Sequence, residues 1–220
     1  MPSYYPLYVN LRGRRCIVIG GGSVSERKVR GLLDSGADMV TVIAPAASPG
    51  LAELAAKGSI QLLSREYQEE DLTGAFLVFA ATDRREINEA VSRAGTRLGL
   101  LVNVADNADE GGFITPSVIR RGELLLSITT GGASPSLTAL IRQELAEHYG
   151  HDYGQRVELL RLLRQKVLSN EFHHKNKQEL LRKAAQEISA LKLDNENVRD
   201  HEFIDQWMIR LTTGGSNNGV

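Results

Sequence analysis

The sequence predicts an α/β fold: a doubly wound parallel sheet, then a small α+β unit, then a helical C-terminal region. Three observations predict it. Between residues 15 and 103, short β-branched apolar runs alternate with amphipathic stretches, which implies parallel strands joined by right-handed helical crossovers. A glycine run, Gly20-Gly21-Gly22, separates the first apolar run from the first amphipathic one. After Gly150 strand-like runs cease, and Leu180, Ala184, Ile188 and Leu191 recur at three- and four-residue spacing.

Taken in order, residues 15–19 read as a buried strand and 23–35 as a helix. Val24, Val29, Leu32 and Leu33 form its apolar side and Gly36 its stop. Residues 39–43 are a second strand, 48–57 a short helix and 59–63 a third strand. Residues 76–81 are again a buried strand. Residues 84–98 are helical, with Ile87, Val91 and Ala94 in register, and 100–104 close the series. From about Gly111 the pattern changes. Residues 113–121 are expected to be helical at their end, and 124–129 to be a strand. Ser134 and Pro135 supply the N-cap and first position of a helix reaching His148. One strand and one helix cannot bury themselves, so this middle unit is expected to pair with a second copy or to pack on the first domain. The glycine- and asparagine-rich end, 212–220, is expected to be a disordered tail.

Composition excludes several function classes. Twenty-six basic residues nearly cancel twenty-seven acidic ones, for a net charge of -1, so no general nucleic-acid footprint is present. With 42% hydrophobic and 24% charged residues the chain is ordinarily globular rather than disordered. A lone cysteine, Cys16, rules out an internal disulfide framework and reads as a buried small hydrophobe. No run approaches the ~20 apolar residues of a membrane span, and no signal-peptide pattern opens the chain. A soluble cytoplasmic protein, with neither nucleic acid nor membrane as partner, is expected.

The run Gly20-Gly21-Gly22-Ser23-Val24-Ser25 has the context of a dinucleotide-binding turn. The first glycine permits a tight turn, the third lets backbone approach a pyrophosphate, and the helix start offers N–H groups and partial positive charge. Two features depart from the usual fingerprint. The third small position is Ser25, and the second strand ends Ile43-Ala44-Pro45 with no acidic residue for a ribose and no basic one for a 2′-phosphate. The loop by itself also fits a turn that holds a mononucleotide or nothing.

Other segments add to it: Pro6-Leu7-Tyr8-Val9-Asn10-Leu11, then Glu26-Arg27-Lys28 after the loop, Ala80-Ala81-Thr82-Asp83 with Asn88 beyond, and Val102-Asn103-Val104-Ala105-Asp106. Phe113-Ile114-Thr115-Pro116-Ser117, Thr130-Gly131-Gly132-Ala133-Ser134-Pro135 and Leu140-Ile141-Arg142 follow. In this order and spacing, over roughly residues 4–149, the sequence resembles the precorrin-2 dehydrogenase/sirohydrochlorin ferrochelatase family, the N-terminal module of sirohaem synthases. The resemblance implies an NAD-binding Rossmann-like domain (1–112), a dimerisation domain that interlocks with its partner (113–149) and a helical C-terminal domain (150–211). At 220 residues the chain is expected to lack the methyltransferase fused in longer sirohaem synthases.

The resemblance also implies a site. NAD contacts map to Gly20, Gly22, Ser23 and Val24, with Ala44, Pro45 and Ala46 on the adenosine side. The family's essential aspartate matches Asp106, which is placed where open α/β sheets bind ligands; read from spacing alone it is a solvated loop carboxylate capping a turn. Its role as proton acceptor or as macrocycle-positioning group stays open, and partial burial would suit it to proton transfer. Asn103 either orients Asp106, contacts nicotinamide or bonds backbone. Thr82 either touches the cofactor or is a hydrogen-bonded loop start. The implied substrate is a tetrapyrrole with eight carboxylates, for which Arg120, Arg121 and Arg142 are candidate partners. Thr130, Gly131 and Gly132, before the helix from Ser134, form a candidate carboxylate-binding turn. His148, His151, His173, His174 and His201 show no local metal-ligand pattern. Ferrous iron, if handled, is expected as a substrate. The competing class is an NAD-binding sensor module without turnover.

Overall fold

The computed structural model describes residues 4–169, 174–189 and 201–213. Leu191, His173 and residues 214–220 of the expected tail lie outside them, while Thr212 and Thr213, expected in that tail, end the last helix instead. The chain divides into two compact units, Met1–Thr115 with Gly131–Ala133, and Pro116–Thr130 with Ser134–Val220.

In the first unit, β1 (Arg15–Ile19), β2 (Met39–Ile43), β3 (Gln61–Leu63), β4 (Leu77–Ala80) and β5 (Leu101–Val104) form one sheet in the order β3-β2-β1-β4-β5. Every neighbouring pair is parallel. Helices α1 (Ser23–Asp34), α2 (Pro49–Ala56) and α3 (Arg85–Arg97) are the crossovers. The chain winds outward through β2 and β3, then returns to the other side of β1 for β4 and β5. That reversal makes the carboxyl ends of β1 and β4 the switch point, where such sheets hold ligands.

Alternation within each strand assigns the core. Cys16, Val18, Val40, Val42 and Phe79 face Val29 and Leu32 of α1 and Leu51 of α2. Ile17, Ile19, Val78, Ala80, Val102 and Val104 face Val91 and Ala94 of α3, together with Leu72. Both faces are covered, so the strands read as continuous apolar runs rather than alternating ones. Burial pushes the Cys16 thiol up to about 11, which keeps it protonated and inert.

The second unit holds a hairpin, β6 (Ser117–Arg121) and β7 (Leu124–Ile128), and α4 (Pro135–His148), α5 (Tyr153–Ser169), α6 (His174–Glu187) and α7 (His201–Thr213). The expected helical end of 113–121 is therefore corrected to a strand. β6 pairs antiparallel with β7, Arg121 opposite Leu124, which leaves Gly122-Glu123 as a two-residue turn. Gly122 has φ 56°, and glycine at the first central position suits such a turn. Val118 and Ile119 are β-branched, and this glycine was the signal that the preceding run is a strand. Ser134 caps α4 through the Leu137 N–H at 3.2 Å, with Pro135 following it, as expected. Leu159, Leu163 and Val167 of α5, Leu180 and Ala184 of α6, and Ile204, Trp207 and Leu211 of α7 make a separate core.

Helix α3 sits tightly on β5: a Cβ on Gly95 would stand 2.2 Å from Val102 Cγ2. Gly95→Ala is expected to lower stability by about 1–3 kcal/mol in urea unfolding, overriding the ~1 kcal/mol that alanine gains in a helix. Val102→Ala in the same chain should give a double variant less destabilised than the sum of the two singles.

Candidate active site

The glycine loop closes over the sheet edge by backbone contact. Gly20, at φ 122°, donates to Ile43 O at 2.9 Å, and Ala81 N donates to Ile19 O at 2.9 Å. A Cβ on Gly20 would stand 2.3 Å from Ala81 O. Gly21 is just as constrained: its Cβ would stand 1.9 Å from Ala46 O, and its carbonyl accepts from Ser48 N at 2.8 Å. Gly22 differs. It is exposed, has an ordinary φ of -84°, and a Cβ there would meet nothing within 4 Å. It is the N-cap of α1, whose first turn, with Ser23 and Val24, carries no side-chain cap. Ser25, fully buried, donates from Oγ to Ala81 O at 3.1 Å. A serine thus ties helix to strand where the fingerprint has its last small residue.

The segment after β2 lies against this loop. Ala44 is buried, while Pro45 and Ala46 are exposed. Ser48 locks the segment in place: its hydroxyl donates to Glu26 Oε2 at 2.6 Å and accepts from Leu51 N, capping α2. Glu26 also accepts from Arg30 at 2.7 Å. The Ser48 hydrogen bond, then that of Arg30, holds the Glu26 carboxyl below its ordinary range. Glu26, Ser48 and Gly21 had no assigned role in the sequence reading. The nearest signal was the Glu26-Arg27-Lys28 run.

At the carboxyl ends of β4 and β5 the structure gathers Thr82, Asn88 and Asp106. Asn88 is buried, accepts at Oδ1 from Thr82 N (3.1 Å) and Thr82 Oγ1 (2.8 Å), and donates to Asp106 Oδ1 at 3.2 Å. Asn88, not Asn103, therefore orients Asp106. The Thr82 hydroxyl oxygen also accepts from Arg84 N at 3.2 Å, as a loop start does. Asp106 itself is exposed rather than partly buried. Asn103 points to the opposite sheet face, paired across the strands with Phe79. Its Nδ2 donates to Phe113 O at 3.0 Å, and its buried Oδ1 has no partner.

Lys28, half-buried in α1, donates to Thr115 Oγ1 at 2.6 Å and stands 5.3 Å from the Phe79 ring centre. Burial, then the charge of Arg27, brings its pKa down to about 8.

Of the other sequence candidates, Thr130, Arg120, Arg121 and Arg142 lie in the second unit, and Gly131 and Gly132 in the first. Thr130 Oγ1 accepts from Ser134 N at 3.0 Å and contacts Thr138 Oγ1 at 3.1 Å, so its hydroxyl belongs to the start of α4. Gly131 and Gly132 take φ 64° and 90°, a turn that favours glycine. Arg121 donates to Tyr149 O and Ala146 O, capping the end of α4. Arg120 is exposed, and Arg142 reaches Val118 O at 3.5 Å while exposed. Among the described residues no three His, Cys, Asp or Glu side chains gather to hold a metal, and no helix is long and apolar enough to cross a membrane.

Residues 7–117 match a family model described as putative NAD(P)-binding. The chain belongs to this family. Residues 121–148 match a second model, sirohaem biosynthesis protein central, and the expected family is borne out. Siroheme synthase 3 of Aeromonas hydrophila is 45% identical over 142 residues, 64% of this chain and 30% of that protein. Siroheme synthase of Nitrosococcus oceani is 41% identical over 152 residues, 69% of this chain and 32% of its own. The chain thus spans about a third of the length of these relatives. A solved structure described as SirC, precorrin-2 dehydrogenase, superposes with TM-score 0.74 at 28% identity, covering 96% of this chain and all of that one.

The loop fits a dinucleotide. Two glycines are required for its own closure, whereas Gly22 presents open space to an uncapped helix start, where a pyrophosphate oxygen would be held by N–H groups. Two measurements follow. Gly21→Ala should destabilise the fold by at least about 2 kcal/mol, while Gly22→Ala should keep its melting temperature and weaken NAD binding in calorimetry. For Lys28, whose ordinary pKa is 10.5, the unfolded chain holds the proton more tightly between pH 8 and 10.5. Stability should rise across that window, on the order of 1 kcal/mol after screening, and Lys28→Met should flatten the rise.

Proposed function

We propose that the chain oxidises precorrin-2 to sirohydrochlorin with NAD as acceptor, in sirohaem biosynthesis. The observation that carries this reading is an oriented carboxylate, Asp106, on the same carboxyl edge of the sheet as the glycine loop. A glycine loop alone supports nucleotide binding. A carboxylate held by a buried amide beside it supports chemistry, and the match to the sirohaem biosynthesis central region supports a tetrapyrrole as its object.

When bound, NAD supplies the hydride acceptor. The macrocycle gives up one hydride and one proton, so its two-electron oxidation balances when a base takes the proton. Asn88 holds Asp106 Oδ1, and the exposed carboxylate is the candidate base. Gly22, Ser23 and Val24 meet the pyrophosphate, Gly20 shapes the loop that presents them, and Ala44, Pro45 and Ala46 line the adenosine side. Thr82 and Asn103 border the nicotinamide end. Small side chains after β2 let backbone, rather than an acidic residue, meet the ribose.

Arg120 and Arg142 offer exposed guanidinium groups to substrate carboxylates. Arg121, engaged at the end of α4, contributes by shaping the hairpin. Residues 1–112 serve as the NAD domain, 113–149 as a dimerisation domain and 150–211 as a helical domain. Supporting a homodimer, α4 buries none of its side chains within one chain and leaves Leu137 and Leu140 exposed, as is Val118 on β6.

The test is anaerobic precorrin-2 with NAD or NADP, following the reduced nicotinamide and sirohydrochlorin by absorbance. Ferrous ion, a proposed second substrate, is then added to read iron insertion. Asp106→Ala should keep NAD affinity and lose turnover by at least about 100-fold. Undiminished turnover would remove Asp106 from the chemistry, and NAD binding with no turnover in the unaltered chain would leave a sensor module.

A further inference from the structure

Asn103 and Lys28 are two imperfectly matched polar groups on one side of the sheet. Asn103 is 5% exposed, and its Oδ1 is a buried acceptor without a donor. Lys28 is a half-buried cation that pairs with no carboxylate among the described residues; its hydrogen bond is to the neutral Thr115 hydroxyl. Both lie against the same aromatic pair. Phe79 and Phe113 meet edge to face at 5.4 Å; Lys28 Nζ stands over Phe79, and Asn103 Nδ2 bonds Phe113 O.

A buried acceptor and a half-buried donor against one aromatic pair restrict their ligand. A carboxylate offers only acceptors, so it would satisfy Lys28 and repel Asn103 Oδ1. An ammonium would do the reverse. A primary carboxamide satisfies both, its oxygen toward Lys28 and its NH2 toward Asn103. The segment 113–115 crosses this spot, tethered by Asn103 at Phe113 and by Lys28 at Thr115. Thr115 is exposed, so its hydroxyl can return to water when a ligand oxygen takes its place.

We propose that Asn103 and Lys28 together recognise the carboxamide of the nicotinamide ring, which exchanges with Thr115 and loosens the 113–115 strap to reach Asn103 Oδ1. The inference rests on the reading of the first unit as an NAD site. The lowered pKa of Lys28 accords with it, since a desolvated ammonium gains most from a ligand oxygen.

Calorimetry on the full chain tests it with three ligands: NAD, ADP-ribose, which lacks the nicotinamide, and nicotinic acid adenine dinucleotide, which carries a carboxylate in place of the carboxamide. The unaltered chain should bind NAD about tenfold or more tighter than the nicotinic acid analogue. Lys28→Met and Asn103→Leu should each weaken NAD about tenfold and leave ADP-ribose affinity unchanged, and Lys28→Arg should restore much of the loss. Equal affinity of the unaltered chain for NAD and its nicotinic acid analogue overturns the proposal without any variant having to fold. Undiminished NAD binding by both variants overturns it as well. If the unaltered chain binds neither ADP-ribose nor NAD, the NAD reading itself fails, and this assignment with it.

Discussion

The closure of the glycine loop onto its neighbours is the constraint on which the rest of the first unit depends. Gly20 lies against the Ala81 carbonyl and Gly21 against that of Ala46, at separations no side chain would allow. Through them β1 is tied to the segments after β4 and β2 at once. The start of α1 is thereby held above the switch point, where the strand order reverses. Helix dipole, uncapped N–H groups and open space at Gly22 then coincide. Loosening the closure would cost the sheet edge and the anion site together, because the same backbone atoms form both.

Around this closure, polar side chains act mainly on one another. Ser25 fastens α1 to β4, Ser48 and Glu26 fasten α1 to α2, and Asn88 fastens Thr82 to Asp106. Each is a polar residue placed where two elements come near each other. Such groups are stable there because their partners are fixed backbone or fixed side chains rather than water. The exposed Asp106 at the edge of this scaffold is oriented by a buried amide, so it gains direction without being enclosed.

Much of the first unit was legible. The apolar runs named all five strands because a sheet covered on both faces needs uninterrupted β-branched and aliphatic residues. Glycine and serine at helix ends marked α1 and α4 to within a residue or so. The hairpin was less legible, since Val118 to Arg121 is too short for its periodicity to separate strand from helix, and only the turn at Gly122 decides. Asp106 was named by resemblance, and its exposure is that of the solvated loop carboxylate which spacing alone gives. Asn88 was visible only as a motif position, its function depending on two residues six and eighteen positions away.

Local chemistry in the chain settled the five strands of the parallel sheet, the starts of α1 and α4, and that a glycine turn joins β1 to α1, because these follow from steric and hydrogen-bonding preferences of neighbouring residues. Folding alone decided which amide holds the carboxylate, which glycine is sterically enforced, and that Lys28 meets Phe79 and Thr115. Those outcomes join residues tens of positions apart, and their distances are set by strand order and crossover packing, which no local pattern encodes.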